Sequence, residues 1–269
     1  MRKESRVKRL FGEDGKAVWM PIDHGVWGNV EGLEDPIHLV DGLIKDGVDA
    51  FLMQVGMVKQ TSFMFESLKN PPARIVTADY NWFWSVPGKI EDEQGSFLNI
   101  SVKQAIHLNC DAVKVMLPIG LPSKVIFEHI KVIADLIKES DVEDIPVIVE
   151  PILPRDRKND FKLYSDACRI AVELGADIIK ADFVGGKDLF SDLVSKLRVP
   201  FVILGGPKVD SIRDVLQTAK DAVDAGARGP CFGRNVWGRP QVHAIVHALI
   251  DIVHKGTTVE EVLSKYSLE

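Results

Sequence analysis

Short apolar runs alternate with longer amphipathic segments along the whole chain. Eight runs have the length and composition of buried strands. In the intervening segments apolar residues recur at spacings of three and four, as in DPIHLVDGLIKDG, which predicts helices. The pattern therefore predicts eight strand–helix units. The runs occupy residues 17–23, 49–54, 73–79, 111–117, 146–153, 177–183, 200–206 and 229–235.

Eight such units in one chain predict a (β/α)8 TIM barrel, in which right-handed helical crossovers join parallel strands. The chain has 269 residues, close to the roughly 250 that this fold needs. We predict a single barrel domain over residues 1–269, with residues 1–16 as an N-terminal helical extension. An open doubly wound sheet is the structural alternative. It would favour a glycine-rich loop after the first run, which instead ends in PIDHG.

One connection is longer than a strand–helix loop requires. Residues 80–100 follow the third run and are rich in aromatic side chains. We expect this segment to cover the mouth of the barrel. Within it, Tyr80, Trp82, Phe83 and Trp84 would either form a lid or anchor a long loop by packing.

Composition narrows the possible partners and the compartment. The formal net charge of −6 argues against nucleic acid or an anionic membrane as a partner. No apolar stretch reaches the roughly 18 residues of a membrane span, and the N-terminus lacks the apolar core of a signal peptide. Cys110, Cys168 and Cys231 form no CxxC pair, so we expect reduced thiols. These features predict a cytoplasmic protein.

Single charged residues interrupt three of the apolar runs. Barrel strands alternate between interior and helix-facing positions, so Lys180 would share the interior with Ile178. Lys114 and Glu150 interrupt the two preceding runs in the same way, and Asp23 closes the first run at the same end. Lys114 and Glu150 could simply form a buried salt bridge. Three interior charges on adjacent strands nevertheless favour a functional cluster, because burying them is costly.

Two lysines beside one carboxylate suit amine catalysis. Desolvation and the charge of Lys114 would both lower the pKa of Lys180. The free amine could then attack a carbonyl and form a Schiff base, whose iminium accepts electrons as the adjacent carbon–carbon bond breaks or forms. Glu150 or Asp23 would serve as the general acid–base group. This chemistry requires no metal and no cofactor other than the covalent Schiff base on Lys180.

The last two runs lead into glycine-containing loops, ILGGPK and FGRNVWG. Loops after strands seven and eight are the usual phosphate site of this fold, where backbone N–H groups approach the anion. The alternative is a pair of tight turns with solvated charges. The residues predicted to hold the anion are Gly205, Gly206, Lys208, Gly233 and Arg234.

Histidines give weaker signals. His24 follows Asp23 at the end of the first run, where it would either contact substrate or serve only in packing. His243 and His247 stand four residues apart in the last long helical segment and could bind zinc. No HExxH motif surrounds them, so a partly exposed helix face is favoured.

Four of these motifs carry a family resemblance. MPIDHG, ELGADIIK, ILGGPK and GRNVW resemble the archaeal-type class I fructose-bisphosphate aldolases and their relatives, the DeoC/LacD-type barrel aldolases. The similarity covers roughly residues 17–253. It implies that Lys180 is the Schiff-base lysine and that Asp23 is an active-site acid. It also implies that Gly205, Gly206, Gly233 and Arg234 hold a substrate phosphate.

The sequence departs from this family at one informative position. Many archaeal-type fructose-bisphosphate aldolases carry a tyrosine proton donor near the end of the fifth strand, where this chain has Leu153. The motifs AVKVML, IVEPIL and IIKADF are instead similar to the tagatose-bisphosphate and sulfofructose-phosphate aldolases. By that resemblance Glu150 takes over acid–base work and Lys114 assists the nucleophile.

The expected function is therefore a class I aldolase acting on a phosphorylated ketose, with dihydroxyacetone phosphate as the ketone half. Related possibilities are a Schiff-base thiolase or synthase acting on a phosphorylated dione or keto sugar. The sequence is also compatible with a metal-dependent aldolase, a phosphosugar isomerase without a Schiff base or a non-catalytic sugar-phosphate-binding protein. The resemblance also suggests a homo-oligomer.

Overall fold

The computed structural model describes residues 1–81 and 96–268. Eight strands lie in the predicted runs, and two short strands follow the third of them. In chain order the strands are β1 (Trp19–Pro21), β2 (Ala50–Met53), β3 (Ala73–Thr77), β4 (Asp79–Asn81), β5 (Ser96–Leu98), β6 (Ala112–Pro118), β7 (Val147–Ile152), β8 (Ile178–Ala181), β9 (Phe201–Leu204) and β10 (Gly229–Cys231).

The eight strands of the predicted runs close into a parallel barrel. Their order is β1, β2, β3, β6, β7, β8, β9 and β10, and pairing of Trp19 with Cys231 returns β10 to β1. The predicted (β/α)8 barrel is therefore confirmed, and an open doubly wound sheet is excluded because the barrel is closed. All eight barrel strands run parallel, so the loops that follow them lie at one end of the barrel.

Helices surround the barrel and fill the connections between its strands. Three of them end at glycines in the left-handed conformation, Gly47 with φ 89°, Gly175 with φ 109° and Gly256 with φ 69°. The helices are α1 (Lys3–Arg9), α2 (Pro36–Asp46), α3 (Val55–Glu66), α4 (Val102–His107), α5 (Ser123–Val142), α6 (Phe161–Leu174), α7 (Gly186–Leu197), α8 (Ile212–Asp224), α9 (Val242–Lys255) and α10 (Val259–Tyr266). No helix among the described residues is long and apolar enough to cross a membrane.

The long aromatic connection contains the antiparallel pair β4 and β5. Tyr80 belongs to β4, and its ring stacks on that of Phe97 with centroids 5.5 Å apart. Trp82, Phe83 and Trp84 lie outside the described residues. The predicted lid over the mouth of the barrel therefore stays a prediction.

The barrel interior is apolar at its N-terminal end and becomes charged towards its C-terminal end. Alternate strand residues such as Ile75, Ile148 and Ile178 pack together inside the barrel, with Trp19 near the floor. Their sequence neighbours, such as Ile179, instead join the larger core between the strands and the helices. This alternation confirms the predicted inward register of β8.

The N-terminal helix closes the floor of the barrel. Leu10 follows α1 and packs within the interior cluster, and its carbonyl oxygen accepts a hydrogen bond of 2.8 Å from Trp19 Nε1. A boundary at residue 16 is not marked by any break in packing, since Ala17 belongs to the same cluster. The three cysteines are free and buried.

His254 connects the loop before β1 to the loop before β2. Its Nδ1 lies 3.1 Å from Asp14 Oδ2, and its Nε2 lies 3.1 Å from Asp49 Oδ2. Asp49 Oδ2 also accepts a 2.7 Å hydrogen bond from the backbone N–H of Val18. The hydrogen bond to Asp49 raises the pKa of His254, and this effect outweighs the opposing effect of burial.

This ion pair predicts a pH-dependent stability. A raised pKa in the folded state means that the contribution is fully present below the unfolded value of about 6.5 and is lost as pH rises through the folded value. We expect His254→Gln to lower the free energy of unfolding by about 0.5–1 kcal/mol more at pH 5.5 than at pH 9. Urea denaturation at both pH values measures the difference. His38→Gln, at an exposed position of α2, is the control, and an equal loss for His254→Gln at both pH values would contradict the assignment.

Candidate active site

Lys180 lies at the C-terminal end of the barrel interior. It follows Ile178 on the same side of β8, and only 6% of the residue is exposed. Lys114 on β6 and Glu150 on β7 also lie on the interior side of their strands, and both are buried. Strand alternation therefore places all three charged side chains together, as the sequence predicted.

Glu150 lies between the two lysines. Its Oε1 is 2.6 Å from Lys180 Nζ, and its Oε2 is 2.6 Å from Lys114 Nζ. The two cations therefore occupy different oxygens of one carboxylate. These three groups alone carry a net charge of +1, which the nearby carboxylate of Asp23 balances.

The site's electrostatics favour the ionised forms of Glu150 and Lys180. Burial alone would raise the pKa of Glu150, but the charges of Lys114 and Lys180 outweigh it and hold that pKa below its usual value. Burial is the largest single effect on Lys180 and would lower its pKa, but attraction to Glu150 and Asp23 and the hydrogen bond to Glu150 together outweigh burial and raise it. The sequence-based expectation of a lowered lysine pKa was therefore wrong for the resting site. It assigned the dominant effect to Lys114, whereas Glu150 is the group in contact with the amine.

Asp23 begins a 3₁₀ helix, Asp23–Trp27, directly after β1. Its Oδ2 accepts a 2.8 Å hydrogen bond from the hydroxyl of Thr77, and its Oδ1 lies 3.1 Å from His24 Nδ1. Burial would raise the pKa of Asp23, but the hydrogen bond to His24 and the nearby charges of Lys114 and Lys180 lower it strongly. Asp23 is thus a second buried carboxylate facing the same pair of lysines.

Sequence reasoning assigned no role to three polar groups near this cluster. Thr77 ends β3 on the interior side, and a polar residue at that alternate position was the available signal. Asp79 is buried, and its Oδ2 accepts a 2.8 Å hydrogen bond from the backbone N–H of Met116. Asp182 follows β8, and burial together with the charge of Glu150 raises its pKa to about 6. A crevice beside Asp23, Thr77 and Asp79 opens at this end of the barrel.

The two glycine-containing loops lie beside each other after β9 and β10. Asn235 joins them: its Nδ2 donates to the carbonyl of Gly205 at 2.7 Å, and its Oδ1 accepts from the backbone N–H of Val209 at 2.9 Å. A side chain at Gly233 would stand 3.0 Å from Trp237 Nε1 and 3.1 Å from Pro21 Cγ. Glycine at this position therefore permits close packing of the second loop against β1.

The predicted anion-binding side chains differ in their surroundings. Lys208 is partly exposed, and its Nζ lies 3.8 Å from Glu31 Oε1. Arg234 lies in the turn after β10 and is half-buried. The carbonyl of Gly233 accepts hydrogen bonds from the backbone N–H groups of Val236 and Trp237, at 2.7 and 3.0 Å. The first N–H groups of a helical turn have no acceptor within the turn. They can therefore bind an anion.

Trp237 connects the second loop to the first strand and to His24. Its Nε1 donates a 2.8 Å hydrogen bond to the carbonyl of Pro21. Its ring meets the imidazole of His24 edge-on, with centroids 5.5 Å apart. His24 therefore lies between Asp23 and the predicted phosphate loop. The sequence did not single out Asn235 or Trp237, because their roles depend on partners distant in the chain.

His243 and His247 lie on α9, at the outside of the barrel, as predicted. Both rings contact Asp46, with His243 Nδ1 at 2.6 Å and His247 Nε2 at 3.0 Å from its oxygens. The part of the chain that the structure describes contains no group of three or more His, Cys, Asp or Glu arranged to hold a metal ion. These histidines serve to attach α9 to the end of α2.

Comparison with known proteins agrees with this arrangement. The model of the DeoC/LacD family aldolases matches residues 17–239. An uncharacterized aldolase of Saccharolobus solfataricus is 33% identical, with 97% of each chain covered. A 2-amino-3,7-dideoxy-D-threo-hept-6-ulosonate synthase of Archaeoglobus fulgidus is 30% identical, with 97% of this chain and 94% of that protein covered.

The similarity extends to solved structures. A structure from a study of reaction intermediates in a Schiff-base-forming fructose-1,6-bisphosphate aldolase superposes with a TM-score of 0.77. The two chains are 25% identical, and the alignment covers 94% of this chain and 100% of the other. The barrel, its interior lysine and the family match over most of the chain lead to one conclusion: this chain belongs to the DeoC/LacD family of aldolases.

Proposed function

We propose that this protein is a class I aldolase that breaks or forms a carbon–carbon bond in a phosphorylated ketose, with Lys180 as the Schiff-base nucleophile. The observation that carries this proposal is the contact of 2.6 Å between Lys180 Nζ and Glu150 Oε1, with Lys114 on the other carboxylate oxygen. A sugar-phosphate-binding protein would need none of these three buried charges. An amine catalyst needs a proton acceptor within hydrogen-bond reach, which Glu150 provides.

Glu150 activates the nucleophile and completes the Schiff base. It accepts a proton from the Lys180 ammonium, and the neutral amine adds to the ketone carbon of the substrate. The attacking nitrogen then passes a second proton to the new alkoxide oxygen, which gives the neutral carbinolamine. The same proton then returns from Glu150 to the carbinolamine hydroxyl, which leaves as water and gives the iminium. Lys114 holds the second oxygen of Glu150 throughout, so the proton moves only through the oxygen that faces Lys180.

Bond cleavage requires a second proton transfer. Electrons of the carbon–carbon bond next to the iminium carbon move towards the nitrogen and form an enamine, while a carboxylate removes the proton of the departing hydroxyl. Glu150 is a carboxylate again at this stage and is the assigned base. Asp23, ionised and anchored by Thr77, is the second carboxylate in reach of the same cluster. It would bind a substrate hydroxyl or share the base role.

The loops after β9 and β10 would hold the substrate phosphate. Gly205, Gly206 and Gly233 allow backbone N–H groups to approach it, while Lys208 and Arg234 supply positive charge. Asn235 keeps the two loops together by its hydrogen bonds to Gly205 and Val209. Dihydroxyacetone phosphate is the proposed ketone half, in line with the similarity to a fructose-bisphosphate aldolase.

A synthase that uses the same Schiff base is the second candidate. The 30% identity to an ulosonate synthase supports it. Leu153, which stands at about the place of the tyrosine proton donor of many archaeal-type fructose-bisphosphate aldolases, leaves the choice between a synthase and another sugar-phosphate aldolase open. Both candidates need Lys180, and they differ in the phosphorylated ketone or dione that enters the site.

Reduction by borohydride tests the nucleophile. Incubation with fructose 1,6-bisphosphate or dihydroxyacetone phosphate followed by borohydride should give a covalent adduct at Lys180, identified by mass spectrometry of peptides. Lys180→Met should lower kcat by roughly 10⁴-fold or more and abolish the adduct. Lys162→Met removes an exposed lysine paired with Asp166 and should change neither. An adduct on Lys114, or full turnover in Lys180→Met, would refute the assignment.

Glu150→Gln separates catalysis from stability. We expect kcat and the trapping rate to fall by roughly 10²–10⁴-fold, because the proton acceptor is lost. Two buried ammonium groups would also lose their partner, which destabilises the fold by about 3–5 kcal/mol. Adding Lys114→Met removes one of the two ammonium groups left without a carboxylate. The free energy of unfolding should then rise back towards the wild-type value while turnover stays low. Recovery of turnover in the double variant would show that Glu150 serves only as a structural partner.

Arg234→Met tests the phosphate loop. Removing one charge-assisted contact should raise KM for dihydroxyacetone phosphate roughly tenfold to a hundredfold. KM for unphosphorylated dihydroxyacetone, assayed with the same aldehyde, should stay unchanged. Arg213→Met, which removes the same charge from an exposed pair with Glu260, is the matched control. An equal rise in KM for both ketones would contradict phosphate binding by Arg234.

A further inference from the structure

A second cleft lies at the opposite end of the barrel from Lys180. It has a volume of about 400 Å³ and opens between α1 and the N-terminal ends of β3 and β6. This volume lies within the range of roughly 300–1,000 Å³ typical of small-molecule sites. Its walls combine an apolar part, including Phe65 and Ile106, with the side chains of Arg6, Arg9 and Arg74.

Arg74 is a buried cation whose guanidinium has no carboxylate partner among the described residues. It is the second residue of β3, faces the helices and is 4% exposed. Its guanidinium lies over the ring of Phe65, 5.1 Å from the centroid, and Nη1 has no hydrogen-bond partner. Within residues 1–81 and 96–268 no carboxylate forms an ion pair with it. Such a group is costly unless an acceptor completes its hydrogen bonds.

Arg6 repeats this pattern on the facing wall. Its Nη1 donates a 2.9 Å hydrogen bond to the carbonyl of Cys110, whereas its Nε is buried and has no partner. Both guanidinium groups therefore line one cleft, and each has one buried N–H that lacks a protein partner. Arginine N–H groups match the oxygens of phosphate and carboxylate, so the missing partner is an oxyanion.

The carboxylate within the cleft does not fill this role. Asp111 Oδ1 lies 2.7 Å from Arg9 Nε, and its Oδ2 accepts a 3.0 Å hydrogen bond from the backbone N–H of Arg74. Both oxygens are thus engaged, and neither reaches the Arg74 guanidinium. Glu66, the other acidic residue of the lining, is exposed on the last turn of α3. The cleft therefore contains three arginines and two carboxylates: Asp111, whose oxygens are both bonded, and Glu66, which is exposed to solvent. Its net charge is positive.

We propose that this cleft is a second binding site, separate from the site around Lys180, for a small anion that carries a phosphoryl or carboxylate group. Arg74 and Arg6 would bind its oxygens with the N–H groups that lack partners, and Arg9 would add charge at the rim. The apolar wall formed by Phe65 and Ile106 would contact the body of the ligand.

Calorimetric titration in the Arg234→Met background tests the proposal while weakening any binding at the barrel mouth. Pyrophosphate and succinate are the probes, and their relative affinities tell phosphoryl from carboxylate recognition. We expect at least one of them to bind with one site per chain, and to bind at least tenfold more weakly once Arg74→Met is added. Arg213→Met in place of Arg74→Met controls for the change in net charge and should leave the affinity unchanged.

Thermal unfolding gives an independent readout and shows whether the variants fold. Without added anion, Arg74→Met should melt no lower than its parent, since it removes an uncompensated buried charge. The parent should gain stability with the bound probe, and the Arg74→Met variant should not. The absence of binding by both probes, or binding that persists unchanged after Arg74→Met, would overturn the proposal.

Discussion

The contact of Glu150 with two lysines is the interaction on which the rest of the site depends. Each oxygen of this buried carboxylate lies 2.6 Å from an ammonium nitrogen. The three side chains come from adjacent parallel strands, β6, β7 and β8, so their meeting requires correct register in all three. A slip of one residue would turn a charge towards the apolar layer beneath the helices. Electrostatics and hydrophobic alternation thus specify the same barrel.

The same contact shapes the proposed chemistry. Glu150 favours a positive charge on Lys180 Nζ in the resting site, and the iminium of a Schiff base carries its charge on the same nitrogen. The carboxylate is therefore already oriented for the cationic intermediate, without rearrangement of the surroundings. The least favoured species is the neutral amine, which must form between the resting ammonium and the iminium. It forms only while its proton resides on Glu150, which couples activation of the nucleophile to the later loss of water.

The sequence predicted features that follow from local spacing. Period-two alternation in DIIKADF was enough to place Lys180 inside with Ile178, and the order of the runs placed the two glycine loops side by side. Pairing between distant side chains was beyond such reasoning. The bond from Thr77 to Asp23 spans 54 positions, and that from Asn235 to Gly205 spans 30. The direction of the Lys180 pKa shift failed for the same reason, because it depends on which group touches the amine.

Buried charges are paired differently at the two ends of the barrel, and this difference bears on where ligands bind. At the C-terminal end Lys114 and Lys180 both contact Glu150, so the resting site is internally compensated and a substrate must compete for those contacts. At the N-terminal end the guanidinium of Arg74 lies over an aromatic ring and its Nη1 has no protein partner, while its backbone N–H donates to Asp111. A ligand there would displace no protein partner. The first arrangement suits groups that exchange protons during a reaction, and the second suits a guanidinium whose role is completed by an anion from solution.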